Sequence, residues 1–425
     1  MAKFIIKFRP FAAALLSLAL VAVSLQPAQA VTTIKLANIY SVAKITEVYL
    51  EIPPASESSL NTWATLKKYV PAKVKFVQGE LVSDQINIGL RLKGSTSLQP
   101  LKQKPSMRIQ FNWGDALKGQ RFLGLKNMTL HSLTQDNSLV HELGAYRLYN
   151  AMGVVAPSTG WAEVFVNGKS KGVYLNVETP DDIFLSKRFK DPTQHLYEGQ
   201  AFADLKPGND NGGESDGKFT VDEGWGTTPN KADLTALIEA ANVEPGKAWW
   251  DGLAKRVDRT SMVRMFAVDN FIGHWDGYSG PIINNYFLRS NSKGVFTFLP
   301  WGADQTFGEN RQTPELLDTF TFAMDKPDVA YPWIKLTHKT ETLERGLLFR
   351  KCLAYKPCQT LYLQQLKATS ARATAIKLPN LMINAGKVVD FLSTENNRAE
   401  QRRNSAFIAA QHKAVAALLK QYKIK

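Results

Sequence analysis

The chain has 425 residues and a formal net charge of +14, from 52 lysines and arginines against 38 acidic residues. That length allows one large domain with insertions or two to three smaller ones, and the basic excess points to anionic partners such as phosphate groups, an anionic surface or an acidic protein. The basic residues are scattered rather than gathered with aromatics into one tract, so no nucleic acid is expected, and the six histidines lack the ligand spacing of a zinc enzyme.

The first thirty residues read as a cleavable signal peptide. Lys3, Lys7 and Arg9 form a basic start, an apolar run follows from Phe11 to Leu25, and Ala28-Gln29-Ala30 places small residues where a signal peptidase reads. The run is short for a spanning helix, which needs about 20 apolar residues. Pro27 also favours cleavage over a retained anchor. Residues 31–425 are then expected as one exported domain, periplasmic or extracellular, with no transmembrane segment. In that oxidising setting the two cysteines, Cys352 and Cys358, are expected to form a local disulfide.

Strands are expected at Ile45–Ile52 and Asp84–Lys93. In the second, Ile86, Ile88, Leu90 and Leu92 alternate with Asn87, Arg91 and Lys93. Met107, Ile109 and Phe111 repeat the pattern with Arg108 and Gln110 opposite. Asp136-Asn137-Ser138 suits a helix start, with Leu139, Leu143, Tyr146 and Leu148 at near-helical spacing as far as Met152. Trp161–Val166 and Gly172–Val177 read as a hairpin through Asn167-Gly168. Pro207–Gly226 reads as a flexible loop; Asp210, Glu214 and Asp216 fail the register of a calcium loop because Gly212 stands at a ligand position. Helices follow at Lys231–Asn242 and Thr260–Trp275, then a hairpin of Tyr286–Arg289 and Val295–Leu299. From about Thr342 the pattern is helical, interrupted by Pro357 and Pro379, with a basic helix near Ser405–Tyr422.

Chemistry concentrates around that hairpin. Asp276 follows a helix, Asn284 and Asn285 come several residues later, and after the hairpin Asp304 precedes Phe307-Gly308. Phosphoryl transfer needs a carboxylate to orient the acceptor hydroxyl and oxygen ligands to hold magnesium on a triphosphate, and protein kinases arrange these groups in this order. Taken singly, such residues more often cap helices and fill turns. Upstream, Arg91, Lys93 and Arg108 stand on the non-apolar faces of strands and Lys104 just before one, either as phosphate-binding cations or as an exposed basic face. The turn Arg91-Leu92-Lys93-Gly94-Ser95-Thr96-Ser97 offers backbone amides to an anion. Glu142 either pairs with one of these cations or is a surface residue suited to a helix N-terminus. A serine-hydrolase reading of Gly277-Tyr278-Ser279-Gly280 fails on the glycine spacing.

Several segments together resemble the CotH kinase family of atypical protein kinases related to spore-coat proteins. They are Arg91-x-Lys93-Gly94-Ser95-x-Ser97, Lys104-x-Ser106-x-Arg108-Ile109-x-Phe111, Asp136-x-Ser138 and Gly153-Val154-x-Ala156-Pro157. Val166-Asn167-Gly168-x-x-x-Gly172-Val173-Tyr174-x-x-x-Glu178, the Asp276–Asn285 segment and Pro300-Trp301-x-x-Asp304-x-x-Phe307-Gly308 complete them. The matches run from about 45 to 308, with a weaker helical match over 342–425. The resemblance implies an α+β, two-lobed kinase-like fold, β-rich first and helical later. It implies transfer from ATP, with Mg2+ or Mn2+, to Ser or Thr hydroxyls of a coat, envelope or secreted protein. Asp276 matches the catalytic aspartate, Asn284 or Asn285 with Asp304 the metal positions, and Glu178 the link near the adenine. Two departures stand out: Gly302-Ala303 where an additional acid is common, and His274-Trp275 before the catalytic position. The alternative is a noncatalytic kinase-like module on a coat or surface. On the signal reading, N-terminal sequencing of the exported protein is expected to begin at Val31; an intact Met1 there refutes it.

Overall fold

Alternating apolar and polar residues build a closed sheet from the first part of the chain. The structure is a computed structural model and describes residues 33–95, 97–211, 217–221, 231–308, 320–324, 334–338 and 341–424, with backbone alone between 320 and 342. The expected signal segment, 1–30, lies outside the described residues. Strands β1 (Ile45–Glu51), β2 (Val70–Gln78), β3 (Leu81–Val82), β4 (Ile86–Lys93), β5 (Ser106–Gln110), β6 (Asn127–His131), β7 (Thr159–Val166) and β8 (Lys169–Val177) form one sheet. Their order is β1-β7-β8-β6-β5-β4-β2-β3, and an additional β1–β2 pairing closes it into a barrel. β1 and β7 run parallel, whereas the other pairs are antiparallel. The barrel core is the apolar half of each alternation: Val48, Phe76, Leu90, Leu92, Met107, Ile109, Met128, Leu130 and Val164 are all buried in one cluster.

The β7–β8 hairpin turns on Asn167 (φ 47°) and Gly168 (φ 80°), the two positive φ values of a type I′ turn. Asn167 also exchanges side-chain hydrogen bonds with the backbone of Ile52, at 2.8 Å to its N–H and 3.1 Å to its carbonyl. The hairpin tip is thereby fastened beyond the end of β1, so the turn and the barrel closure support each other.

A second sheet has the order β10-β9-β11-β12, from β9 (Thr193–Gly199), β10 (Phe219–Val221), β11 (Tyr286–Asn291) and β12 (Phe296–Pro300). β10 lies inside the segment expected as a loop, because Phe219 is buried and its strand pairs with β9; positions 212–216 and 222–226 of that segment lie outside the described residues. Helices Arg259–Ile272, Leu347–Ala354, Lys356–Ala375, Leu378–Val388 and Glu395–Gln421 share one continuous apolar core with this sheet and with the helix His141–Ala151. The molecule is therefore α+β. Helical structure begins at Leu347 rather than Thr342, which lies in a short strand, Glu341–Thr342. Pro357 and Pro379 stand in the first turns of helices, where a missing N–H costs little, so they start helices instead of interrupting them. The Cys352–Cys358 disulfide is formed, with Cα atoms 4.9 Å apart, and joins the helices Leu347–Ala354 and Lys356–Ala375. Among the described residues no helix is long and apolar enough to cross a membrane.

The two inner strands of the second sheet are tied by a buried carboxylate. Asp233 accepts from Ser290 Oγ at 2.6 Å and Tyr197 Oη at 2.7 Å, and lies 2.9 Å from His195 Nδ1. Burial works against its charge, but the bonds from Ser290, His195 and Tyr197 outweigh burial and hold the carboxyl below its ordinary value. A folded-state pKa below the unfolded one gives stability that is fully present above the unfolded value and lost as pH falls through the folded one. Asp233→Ala is expected to cost about 3 kcal/mol, since it strands buried partners. In urea titrations below neutral pH, the variant is expected to show a smaller loss of stability on acidification below pH 3.8 than the parent.

Candidate functional site

The polar half of the barrel alternation makes one wall of a cleft. On β4, β5 and β6 the residues facing away from the core are Arg91 and Lys93, Ser106 and Arg108, and Thr129 and His131. Arg91 pairs with Arg108, Lys93 with Ser106 and Arg108 with Thr129. All six line a cavity of about 350 Å³, together with Gly94, Ser95 and Ser97 at the end of β4. Gly94 adopts φ 130°, and a Cβ there would sit 2.8 Å from Ser97 Oγ and 2.9 Å from Leu98 N, so the turn needs glycine.

Lys93 is held at this wall by a chain of polar contacts. Its Nζ donates to His131 Nε2 at 2.8 Å and lies 5.3 Å from the centre of the Trp301 ring. His131 Nδ1 lies 2.6 Å from Glu142 Oε2, and Tyr146 Oη donates to Glu142 Oε1 at 2.9 Å. Glu142 is fully buried, so it is not a surface residue. Burial opposes its charge, but His131, the Tyr146 hydroxyl and Lys93 outweigh it and leave the carboxyl below its ordinary value. Burial pushes the Lys93 ammonium down to about 8 against the pull of Glu142, Glu198 and Asp304.

The opposite wall comes from the loops around β11 and β12. The helix Arg259–Ile272 ends on Gly273 in the left-handed region, φ 70°, and the chain turns there so that Asp276 reaches the cleft while His274 and Trp275 stay buried behind it. Asn285 Nδ2 donates to Asp276 Oδ2 at 2.6 Å, and the Asn284 N–H to the Asp276 carbonyl at 3.2 Å. His274 Nδ1 lies 3.2 Å from Asp276 Oδ1. Burial lowers the His274 pKa, yet Asp276, Asp269 and the Trp301 carbonyl outweigh it and raise the ring above its ordinary value. After β12, the Trp301 N–H donates to the Asn285 carbonyl at 3.1 Å, which brings Gly302 against the Asn285 side chain and Asp304 to the cleft wall.

The surroundings of Asp304 disfavour its charge. Burial, then the charges of Glu142, Asp276 and Asp136, hold its pKa well above the usual range. Nearby, Gln305 Oε1 is buried without a hydrogen-bond partner. Among the described residues no three His, Cys, Asp or Glu side chains converge closely enough to hold a metal by themselves. Asp304 with the amide oxygens of Asn284, Asn285 and Gln305 is nevertheless a hard-oxygen set of the kind Mg2+ takes, with its remaining positions filled by water or a ligand's phosphates.

The cleft thus gathers Arg91, Lys93, Gly94, Arg108, Glu198, Asp276, Asn284, Asn285 and Asp304, with Glu142 behind Lys93. Two of the residues singled out from sequence point elsewhere. Lys104 is not in the cleft lining; it lies over the Tyr174 ring at 5.3 Å, and burial pushes it down to about 8. Glu178 follows the end of β8 and precedes the cleft-lining Thr179 and Pro180, but its carboxylate accepts from the Ser158 N–H and pairs with Arg188. Sequence reasoning passed over His131 and Glu198 and gave no role to Trp301 and Gln305, which flank Asp304. His131 was within reach, since it continues the polar face of a strand whose other face is Met128 and Leu130.

A family model described as CotH kinase protein matches residues 90–424. The chain belongs to the CotH kinase family. That match begins at residue 90 rather than about 45, just ahead of the first resembling segment, and runs through the C-terminal helices. Inner spore coat protein H of Bacillus subtilis is 28% identical over 246 residues, 57% of this chain and 63% of that protein. Invasin CotH2 of Rhizopus delemar is 22% identical over 289 residues, 63% of this chain and 45% of its own. The chain therefore spans less than two thirds of either relative's length. Among solved structures, a Helicobacter pylori proinflammatory kinase, CtkA, aligns over 81% of this chain and 92% of its own at 12% identity, with a TM-score of 0.34, too low to rest a conclusion on.

Gly302 belongs to the Gly302-Ala303 pair singled out as a departure, and the structure gives a local reason for glycine there. Its φ is 52°, and a Cβ would lie 2.7 Å from both Cγ and Oδ1 of Asn285. Gly302→Ala is expected to push Asn285 off Asp276 and to cost about 1–2 kcal/mol from the left-handed backbone alone. Thermal unfolding reads the stability loss, and a crystal structure of the variant reads the displaced Asn285.

Proposed function

We propose that this protein is an exported protein kinase with a two-lobed, kinase-like design, transferring the γ-phosphate of ATP to Ser or Thr hydroxyls of a coat, envelope or secreted protein. One observation carries the reading. Lys93, backed by His131 and Glu142 on the barrel wall, faces Asp276, Asn285 and Asp304 on the opposite wall of the same cleft. In sequence those groups are far apart; only the fold opposes cations to carboxylates across a gap of nucleotide size. The names of the relatives, a spore coat protein and an invasin, support a substrate at a surface or outside the cell.

On this reading Lys93, Arg91 and the backbone at Gly94, Ser95 and Ser97 bind phosphate oxygens. The base lies toward Thr179, Pro180 and Phe287, where the first sheet passes into the second. This keeps Glu178 near the adenine through its position in the chain, with its side chain engaged by Arg188. Asp276 receives or orients the acceptor hydroxyl, and the Asn285 amide fixes the rotation of that carboxylate. Asp304 would hold Mg2+ or Mn2+ with Asn284 or Asn285; when bound, the cation supplies charge neutralisation to the phosphates.

The noncatalytic reading draws on the Gly302-Ala303 pair, which leaves one acid fewer than is common at the metal end of the cleft. Calorimetry with ATP and Mg2+, followed by transfer of labelled phosphate to the protein itself or to an acceptor, separates the two. Asp304→Ala is expected to abolish metal-dependent nucleotide binding. Asp276→Ala is expected to keep that binding and to slow transfer by about 10²–10⁴-fold. A wild type that binds no nucleotide with either metal establishes the noncatalytic reading instead; one that transfers phosphate regardless of both substitutions refutes this site.

A further inference from the structure

The hold on Lys93 is unusual in its chemistry. A lysine ammonium has three donors and no acceptor, so the His131 Nε2 that lies 2.8 Å away must present a lone pair. The ring proton then sits on Nδ1 and is donated to Glu142 Oε2 at 2.6 Å. The other Glu142 oxygen is occupied by Tyr146. The ring is also fixed in orientation, standing edge-on to Trp301 with centroids 5.4 Å apart and planes at 71°. Lys93 Nζ also lies 5.3 Å from the centre of the same indole.

We propose that His131 is a positioning residue for phosphate binding: as a neutral, Nδ1-protonated imidazole it transmits the grip of the buried Glu142 to Lys93 and aims the ammonium into the cleft. The proposal rests on the kinase reading for its ligand, but its tautomer is a property of the protein alone. Only histidine offers an acceptor and a donor on opposite edges of one rigid ring, which is what the gap between a lysine and a carboxylate requires here. A direct ion pair would neutralise Lys93 against Glu142, whereas a neutral spacer leaves the ammonium hydrogen-bonded and its charge directed at the ligand. The surroundings agree: burial pushes the ring below its ordinary pKa, and Lys93 acts in the same direction, while Glu142 opposes both. Arg91 on its own strand, Glu198 on β9 and Asp304 on the loop after β12 are the further charges acting on Lys93.

The test has two independent arms. Nitrogen and carbon NMR of isotope-labelled histidine in the ligand-free wild type is expected to show His131 neutral at pH 7 with its proton on Nδ1; an Nε2-protonated or charged ring overturns the proposal whatever the protein binds. Calorimetry with ATP and Mg2+ is expected to find His131→Phe, which keeps a planar ring against Trp301, weaker by about tenfold to a hundredfold, the worth of a charge-assisted hydrogen bond. Adenosine, which lacks phosphates, is expected to bind both proteins equally. Adding Glu142→Gln to His131→Phe is expected to weaken ATP binding little further, because both residues act on Lys93 through one chain of contacts. Undiminished ATP binding by a folded His131→Phe protein overturns the inference and leaves the kinase reading standing. Failure of the wild type to bind ATP overturns the kinase reading, while the NMR arm still decides the tautomer.

Discussion

A carboxylate buried without contact to water is costly by several kcal/mol unless its partners are in place, and Glu142 imposes that requirement at the junction of barrel and helices. Its partners come from three directions: His131 from β6, Tyr146 from its own helix, and Lys93 from β4 through His131. Meeting that requirement fixes the distance from the barrel wall to the helix His141–Ala151. That helix in turn packs on Arg259–Ile272, whose end delivers Asp276. One buried charge thus stands in a run of packed elements that links the two walls of the cleft.

The C-terminal helix Glu395–Gln421 completes the arrangement from behind. Asn397 and Gln401 donate to the carbonyls of Asn137 and Ser138, and Asn404 Oδ1 lies 2.7 Å from His141 Nε2. His141 Nδ1 reaches the Asp304 carbonyl at 3.1 Å, so a helix near the end of the chain is two contacts from the proposed metal carboxylate. Phe407 packs against Phe307, and a Cβ at Gly308 or Gly273 would meet it at 3.0–3.1 Å. The close approach of this ring, together with the positive φ at both glycines, explains why they flank it.

Much of this was legible from residue patterns, and the exceptions have physical causes. The alternation of β4 identified Arg91 and Lys93 on a single face. Lys104, read as lying just before β5, is outside the alternation, so its place over Tyr174 rather than in the cleft could not be read from it. β2 carries an alternation as clean as that of β4, with Val70, Ala72, Val74 and Phe76 inside; it was passed over, and β6 is only five residues long. The helix expected from Asp136 begins at His141, because Leu139 takes φ 67° and the Asp136 carboxylate reaches forward to the His141 N–H. The order of Asp276, Asn285 and Asp304 around a hairpin was visible. A single histidine carries no spacing of its own, and the part proposed for His131 depends on Lys93 and Glu142 lying on opposite sides of it.

The pairing of β1 with β7 joins residues more than a hundred positions apart, and the brace by Asn397, Gln401 and Asn404 joins residues some 260 apart. Contacts of such long sequence separation form late, because the chain entropy of closing large loops is lost before they reward it. A chain emerging from its N-terminus can pair β4 with β5 early, but the loop before Glu142 stays unbraced until the final helix arrives. The segment that leads into Glu142 thus takes its brace from a helix some 260 residues further along the chain, so this side of the cleft is among the last parts of the fold to be secured.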